Sequence, residues 1–303
     1  MGNILVVGSL AYDTVKTPTG KIDGALGGSA NYFGVAASLF ASVSVVGVVG
    51  EDYRAEDSEL LSKRNVDISG IEKVAGKTFH WAGEYDGSLN EAKTLRTELN
   101  VFADFHPKLP ESFKKSEIVF LANIDPVLQI EVLDQVQRPK VVAADTMNFW
   151  IESKITDLLK VLKRLDILLI NEGEAILLTE TSNAILAAKR ISEMGPKHVV
   201  IKRGEYGIVI YSHDQYFCLP AYPIGNVVDP TGAGDTFAGG FLGYIGKSNQ
   251  PLSLDLLKTA AVYGTLLASF TVQDFSLNAI KDLTLDQVED RRRDFRQVVT
   301  FPT

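Results

Sequence analysis

What most limits the architecture open to this chain is a repeated alternation. Short, continuous apolar runs, the first of them "NILVVG" at 3–8, are each followed by a stretch with helical spacing. Such runs recur at 43–49, 117–123, 140–145, 166–171 and 198–202. Helical patterns fall near 29–41, 55–64, 126–136, 150–164, 172–179 and 182–194. A strand that is apolar at every residue must be covered on both faces. In a chain that alternates strand and helix, this means a parallel sheet between layers of helix. The predicted fold class is therefore α/β: a doubly wound, mostly parallel sheet flanked by helices, with ligands beyond the carboxyl ends of its strands.

Two segments break the rhythm. Residues about 13–26 and about 74–104 read as short antiparallel strands, with turns at "TPTGK" and "YDGSLN". They cannot easily join a parallel core and are expected to form one small β-sheet that projects from it as a lid. From 252 onward the pattern is helical. No repeat, linker or low-complexity tract divides the chain, so residues 1–303 are expected to form a single domain with its lid.

Composition narrows the partners. A net charge of −8 disfavours nucleic acid, whose phosphates are held by clustered Lys and Arg. The one basic run, Arg291–Arg293, is flanked by Glu289, Asp290 and Asp294 and reads as a solvated helix face. A single cysteine, Cys218, excludes an intramolecular disulfide and a Cys-rich zinc site; its setting suggests a half-buried strand residue. No uninterrupted apolar run approaches the roughly 18 residues of a membrane span. The start reads as a strand rather than a leader, so a cytoplasmic location with no membrane partner is expected.

The segment most suggestive of chemistry is "DPTGAGDTFAGGF" at 229–241. A glycine-rich loop feeding a helix exposes backbone N–H groups at the positive end of the helix dipole, an arrangement suited to phosphate. Asp235 would repel a resting anion. It makes sense if a hydroxyl must lose its proton while attacking phosphorus held by those amides. The plainer alternative is that Asp235 caps the helix and the glycines serve packing. The spacing is not that of a P-loop, and Phe237 stands where a dinucleotide fingerprint needs its third Gly. His80, His106, His198 and His213 are scattered and read as ordinary core or surface residues.

"DPTGAGDTFAGGF" resembles the C-terminal signature of the PfkB (ribokinase-like) carbohydrate kinases, and "GGSANYFGVAASLF" with "VVGVVGED" resembles their N-terminal one. The resemblance implies that Asp235 is the catalytic base and that the amides of Gly232, Ala233 and Gly234 form the anion hole. "NEGE" resembles the family's N-x-x-E motif, which implies Asn171 at the nucleotide and Glu174 at Mg²⁺ through water; an ordinary helix cap is the alternative. "KRGEYG" resembles the nucleotide-side turn, which implies Lys202, Gly204 and Gly207, with Lys202 replacing the commoner Thr. Adenine would lie between residues 222–227 and 260–269.

On the acceptor side the resemblance implies Asp13, Gly27, Gly28 and Asn31, with Asn123 or Asp125 at the pocket; Asp52 reads as a loop acid near the hinge. Ser29 stands where ribokinase carries Lys, which bears against ribose as acceptor. On the lid, His80, Trp81 and Tyr85 are candidates for stacking on a sugar or base. The implied activity is ATP-dependent phosphorylation of a hydroxymethyl group on a small sugar, with ATP, Mg²⁺ and a monovalent cation as cofactors. A nucleoside acceptor and a catalytically silent binding module are the alternatives. Exposed lid edges imply a homodimer through the lid.

Overall fold

The computed structural model describes residues 2–87, 89, 92–248 and 250–300. Nine strands form the larger sheet: β1 (Asn3–Val7), β4 (Ser42–Val49), β5 (Val66–Lys73), β8 (Ile118–Leu121), β9 (Val141–Ala144), β10 (Ile167–Asn171), β11 (His198–Lys202), β12 (Ile208–Ser212) and β13 (Gln215–Leu219). Their spatial order is β13-β12-β11-β10-β9-β8-β1-β4-β5. Pairing is parallel from β11 to β5; β12 runs antiparallel to both of its neighbours, so β13 returns to the common direction.

The continuous apolar runs have a direct cause. Along β1, Ile4 and Val6 enter a core on one face of the sheet, whereas Leu5 and Val7 enter a second core on the other. Helices α1 (Ser29–Ala37), α8 (Ala233–Lys247) and α9 (Leu254–Thr271) cover the first face. Helices α3 (Pro126–Gln135), α5 (Ile155–Leu162) and α7 (Ala184–Glu193) cover the second. Chain direction across the sheet reverses between β1 and β8, so a crevice opens there beyond the strand ends.

The small sheet exists as expected, in the order β3-β2-β6-β7, from β2 (Ala11–Thr17), β3 (Gly20–Gly27), β6 (Phe79–Tyr85) and β7 (Ala92–Glu98). Its two hairpins are antiparallel, but β2 and β6 pair in parallel, because the chain between them passes through the large sheet. Residues Asn100–Asp104 form a 3₁₀ turn rather than strand. Of the turn expected at 85–90, Ser88 and Asn90 lie outside the described residues. Asp52 lies in the loop after β4, where its Oδ1 accepts from both the amide and the hydroxyl of Thr78, at 2.7 Å each, tying the exit of β4 to the entry of β6.

Other expectations need correction. The helix expected at 150–164 is two, α4 (Asn148–Ser153) and α5, separated where Lys154 leaves helical geometry at φ −132°. Cys218 is on a strand as expected, but exposed, because β13 is the sheet's edge. Among the described residues no helix is long and apolar enough to cross a membrane.

Candidate active site

Polar residues collect where the buried strands stop. Asp145 follows β9, Asn171 ends β10 and Lys202 ends β11, with Asn171 and Lys202 in register. Lys202 Nζ donates to Asp145 Oδ2 at 2.6 Å, and both side chains are largely buried. Burial alone would lower the Lys202 pKa, but Asp145, Glu174 and Asp235 override it and hold the ammonium charged. Asn171 and Glu174 form a reciprocal capping box at the start of α6 (Glu172–Thr179): Asn171 Oδ1 accepts from the Glu174 amide, and Glu174 Oε2 accepts from the Asn171 amide. The cap reading is therefore correct as geometry. Yet Glu174 is buried, and burial followed by repulsion from Asp145 pushes its pKa up. Such a carboxylate is poised to gain from a nearby cation.

Above these groups lies the start of α8. Its N-cap is Gly232, at φ +75°, which has no side chain to cap with. Asp235 stands in the first turn and accepts from its own amide, so it serves the helix start whatever else it does. The Ala233 amide closes a turn onto the Pro230 carbonyl at 3.2 Å, while among the described residues the amides of Gly232 and Gly234 have no backbone partner. Lys202 Nζ reaches this turn, 3.1 Å from where a Cβ on Gly234 would stand. Asp235 is half-buried at the edge of the cluster. Burial, then Asp145, raise its pKa to about 7 against the opposing pull of Lys202. A carboxyl titrating near neutrality next to free amides is suited to general-base work.

The acceptor-side candidates converge from β2, β3 and α1. Asp13 is buried, and its carboxylate packs onto Gly27 so closely that a Cβ there would lie 1.9 Å from Oδ2. Only glycine allows that approach. Burial, then Asp229, raise Asp13 to about 7, opposed by a hydrogen bond from the Gly28 amide. Asn31 is fully buried, and its Nδ2 donates to the Gly27 carbonyl at 2.6 Å, so it braces the Gly27–Gly28 turn from behind. Register puts Trp81 beside Asp13, and the Tyr85 and Thr231 hydroxyls lie 3.3 Å apart, so Tyr85 faces the glycine loop. His80 is a correction: it pairs with Tyr12, one residue out of step, and lies 3.3 Å from the Thr14 hydroxyl on the opposite face.

The remaining candidates are more peripheral. Asn123 accepts from Trp150 Nε1 at 2.9 Å at the switch-point crevice, while Asp125 caps α3 through the Val127 amide. Gly204 and Gly207, both at positive φ, shape the turn between β11 and β12. Between residues 222–227 and α9, where adenine was expected, stands Arg291. Its guanidinium lies 3.3 Å from the Phe270 ring centre and 5.0 Å from that of Tyr222, and bonds Ser269. Arg291 is thus no part of a solvated face, unlike Arg293, because the α10 helix (Leu285–Val299) turns it inward.

Sequence reasoning missed Asp145 and Asp229 as members of the site. Asp145 ends an apolar run just as Asn171 does, a signal that was there to be used. Asp229 is buried, with Oδ1 accepting from the Thr231 amide and, among the described residues, Oδ2 without a partner. A cleft of about 310 Å³ lies elsewhere, lined by Tyr12, Asp52, Lys77, His80, Arg96 and Glu98 among others. Charge and free amides, not depth, mark the candidate site.

Known proteins resemble this chain over nearly its whole length. The family model for pfkB family carbohydrate kinases matches residues 1–282. A cytidine kinase from Thermococcus kodakarensis is 33% identical over 250 residues, covering 80% of this chain and 88% of the relative. The nucleoside kinase of Methanocaldococcus jannaschii, an archaeal member of the ribokinase family, superposes with a TM-score of 0.77 at 21% identity, covering 97% of this chain and 99% of that one. An Escherichia coli protein assigned as a Ribokinase II, solved with ATP and Mg²⁺, superposes at 0.79 and 19% identity, covering 97% and 100%. The sheet order is thus that of the ribokinase-like fold, and a family match over nearly the whole length makes this chain a sugar or nucleoside kinase of the pfkB family.

Proposed function

We propose that this kinase transfers the γ-phosphoryl group of ATP to a hydroxymethyl group of a nucleoside, with Asp235 as the base. The observation that carries the reading is the junction of two features: unpartnered amides at Gly232 and Gly234, and a carboxyl beside them raised to about 7. Asp235 takes the hydroxyl proton as the oxygen attacks, and the Gly232–Ala233–Gly234 turn receives the charge on the transferring group. Lys202, fixed by Asp145, adds a positive charge beside that turn. Gly204 and Gly207 shape the nucleotide side. Mg²⁺, when bound, neutralises phosphate charge; Glu174 and Asn171 would hold it through water, a fit supported by the buried Glu174 carboxylate. The unpartnered Asp229 Oδ2 suits a monovalent cation.

Asp13 would accept from two acceptor hydroxyls, with Asn31 holding Gly27 and Gly28 in place beside it and Asn123 at the crevice. Sequence motifs alone put a small sugar first. The likeness to a cytidine kinase, together with Trp81 and Tyr85 toward the acceptor side, moves the nucleoside ahead, since an aromatic face suits a base. A free sugar is the second reading, carried by the family match itself. The small sheet would close over the acceptor and, through its exposed edge strand β7, join a second copy in a cytoplasmic homodimer.

The test is ATP consumption by the parent and Asp235→Asn against nucleosides, free sugars and sugar phosphates. The reading expects turnover with nucleosides and a kcat lower by about 10²–10⁴-fold in the variant. No turnover with any acceptor, or a variant within a few-fold of the parent, contradicts it.

A further inference from the structure

One buried side chain at this site has no assigned part. Tyr32, on α1 directly after Asn31, is 2% exposed, and its ring lies flat beneath Gly232. A Cβ on Gly232 would stand 2.4 Å from Cε1, Cε2 and Cζ alike, so the face of the ring lies against the glycine turn, with the hydroxyl at its rim. The ring therefore fills the space under the turn, and only a glycine fits above it.

The hydroxyl is the unusual part. Buried tyrosine O–H groups normally find a partner. Among the described residues the Tyr32 hydroxyl has none, and its oxygen is not among the sealed-off polar atoms. Three carboxylates, Asp13, Asp229 and Asp235, share its surroundings; burial first, and then these charges, keep the phenol protonated well above its ordinary value. At working pH it is thus a fixed donor beside a turn whose own amides await an anion.

We propose that Tyr32 is a further donor of the anion hole, its O–H bonding an oxygen of the phosphoryl group in flight while its ring fixes the Gly232 turn. This rests on the reading of Gly232–Asp235 as the phosphoryl site. Of the groups within reach, a phosphoryl oxygen gains most: it accepts from Tyr32 just as it accepts from the amides, and the charge of the group in flight is spread over its three equatorial oxygens.

The test is Tyr32→Phe, which keeps the ring and removes the donor. At saturating ATP and acceptor, kcat should fall by about 10- to 100-fold. Both KM values should stay within about threefold and the thermal midpoint should hardly move. As a second measurement, the variant should bind ADP as the parent does but lose affinity for ADP with aluminium fluoride, a mimic of the transferring group. An unchanged kcat overturns the proposal, as does a raised acceptor KM at unchanged kcat, which would make Tyr32 an acceptor contact. If Asp235→Asn is inactive while Tyr32→Phe is normal, only this inference falls. If Asp235→Asn is active, the phosphoryl-site reading falls with it.

Discussion

The two sheets of this kinase solve opposite problems. The interior strands of the large sheet are buried at nearly every residue between two apolar cores, whereas β7 of the small sheet is exposed along almost its whole length, with Leu95 55% exposed. The first supplies a rigid edge on which Asp145, Asn171 and Lys202 are set at strand ends. The second sets Asp13 and Trp81 side by side on a thin layer tied to the large sheet through Asp52 and Thr78. Under the proposed reading the contrast is a division of labour: charge chemistry suits the edge of the large sheet, and selection of the acceptor suits the small one.

The largest way to break this comparison is at Lys202. Lys202→Met leaves Asp145 buried without its partner, and breaking such a pair typically costs about 3–5 kcal/mol. The double variant Lys202→Met/Asp145→Asn should recover most of that stability while remaining catalytically impaired, as measured by denaturant melts and kcat. Full recovery of kcat would make the pair purely structural. A smaller effect is expected on the small sheet: Asp13→Ala should cost roughly 1–3 kcal/mol per lost hydrogen bond, read as a raised acceptor KM with the ATP KM unchanged. If ATP affinity falls instead, the division between the sheets is wrong. The smallest effect concerns β7. Leu95→Lys should shift solution mass from a dimer toward the 33.1 kDa monomer without changing kcat at saturating acceptor. A parent that is already monomeric and fully active contradicts the lid dimer.

The same contrast explains what the sequence could disclose. The large sheet was legible because double-sided burial writes continuous apolar runs, and the glycine loop because phosphate chemistry demands an unusual composition. His80 was misplaced because in a strand of period two one residue's slip reverses the face, and only pairing with β2 fixes which face is inner. Asp145 and Tyr32 were missed because their roles depend on partners 57 and 200 residues away, Lys202 and Gly232, which local pattern cannot bring together. Arg291 looked solvated for the same reason: its charged neighbours are local, but Phe270 and Tyr222 are not.

The proposed base, Asp235, stands at the start of α8 over that edge of the large sheet, and the pH dependence of kcat is its sharpest test. Its carboxyl is raised to about 7, chiefly by burial. A base works deprotonated, so kcat should climb as pH rises through about 7 and level off above it. Saturating acceptor occupies Asp13, which is raised to the same range, and keeps its titration out of the profile. Asp235→Asn should abolish this rising limb and leave a low rate, flat with pH. A variant that keeps both the limb and a rate near the parent's would contradict it.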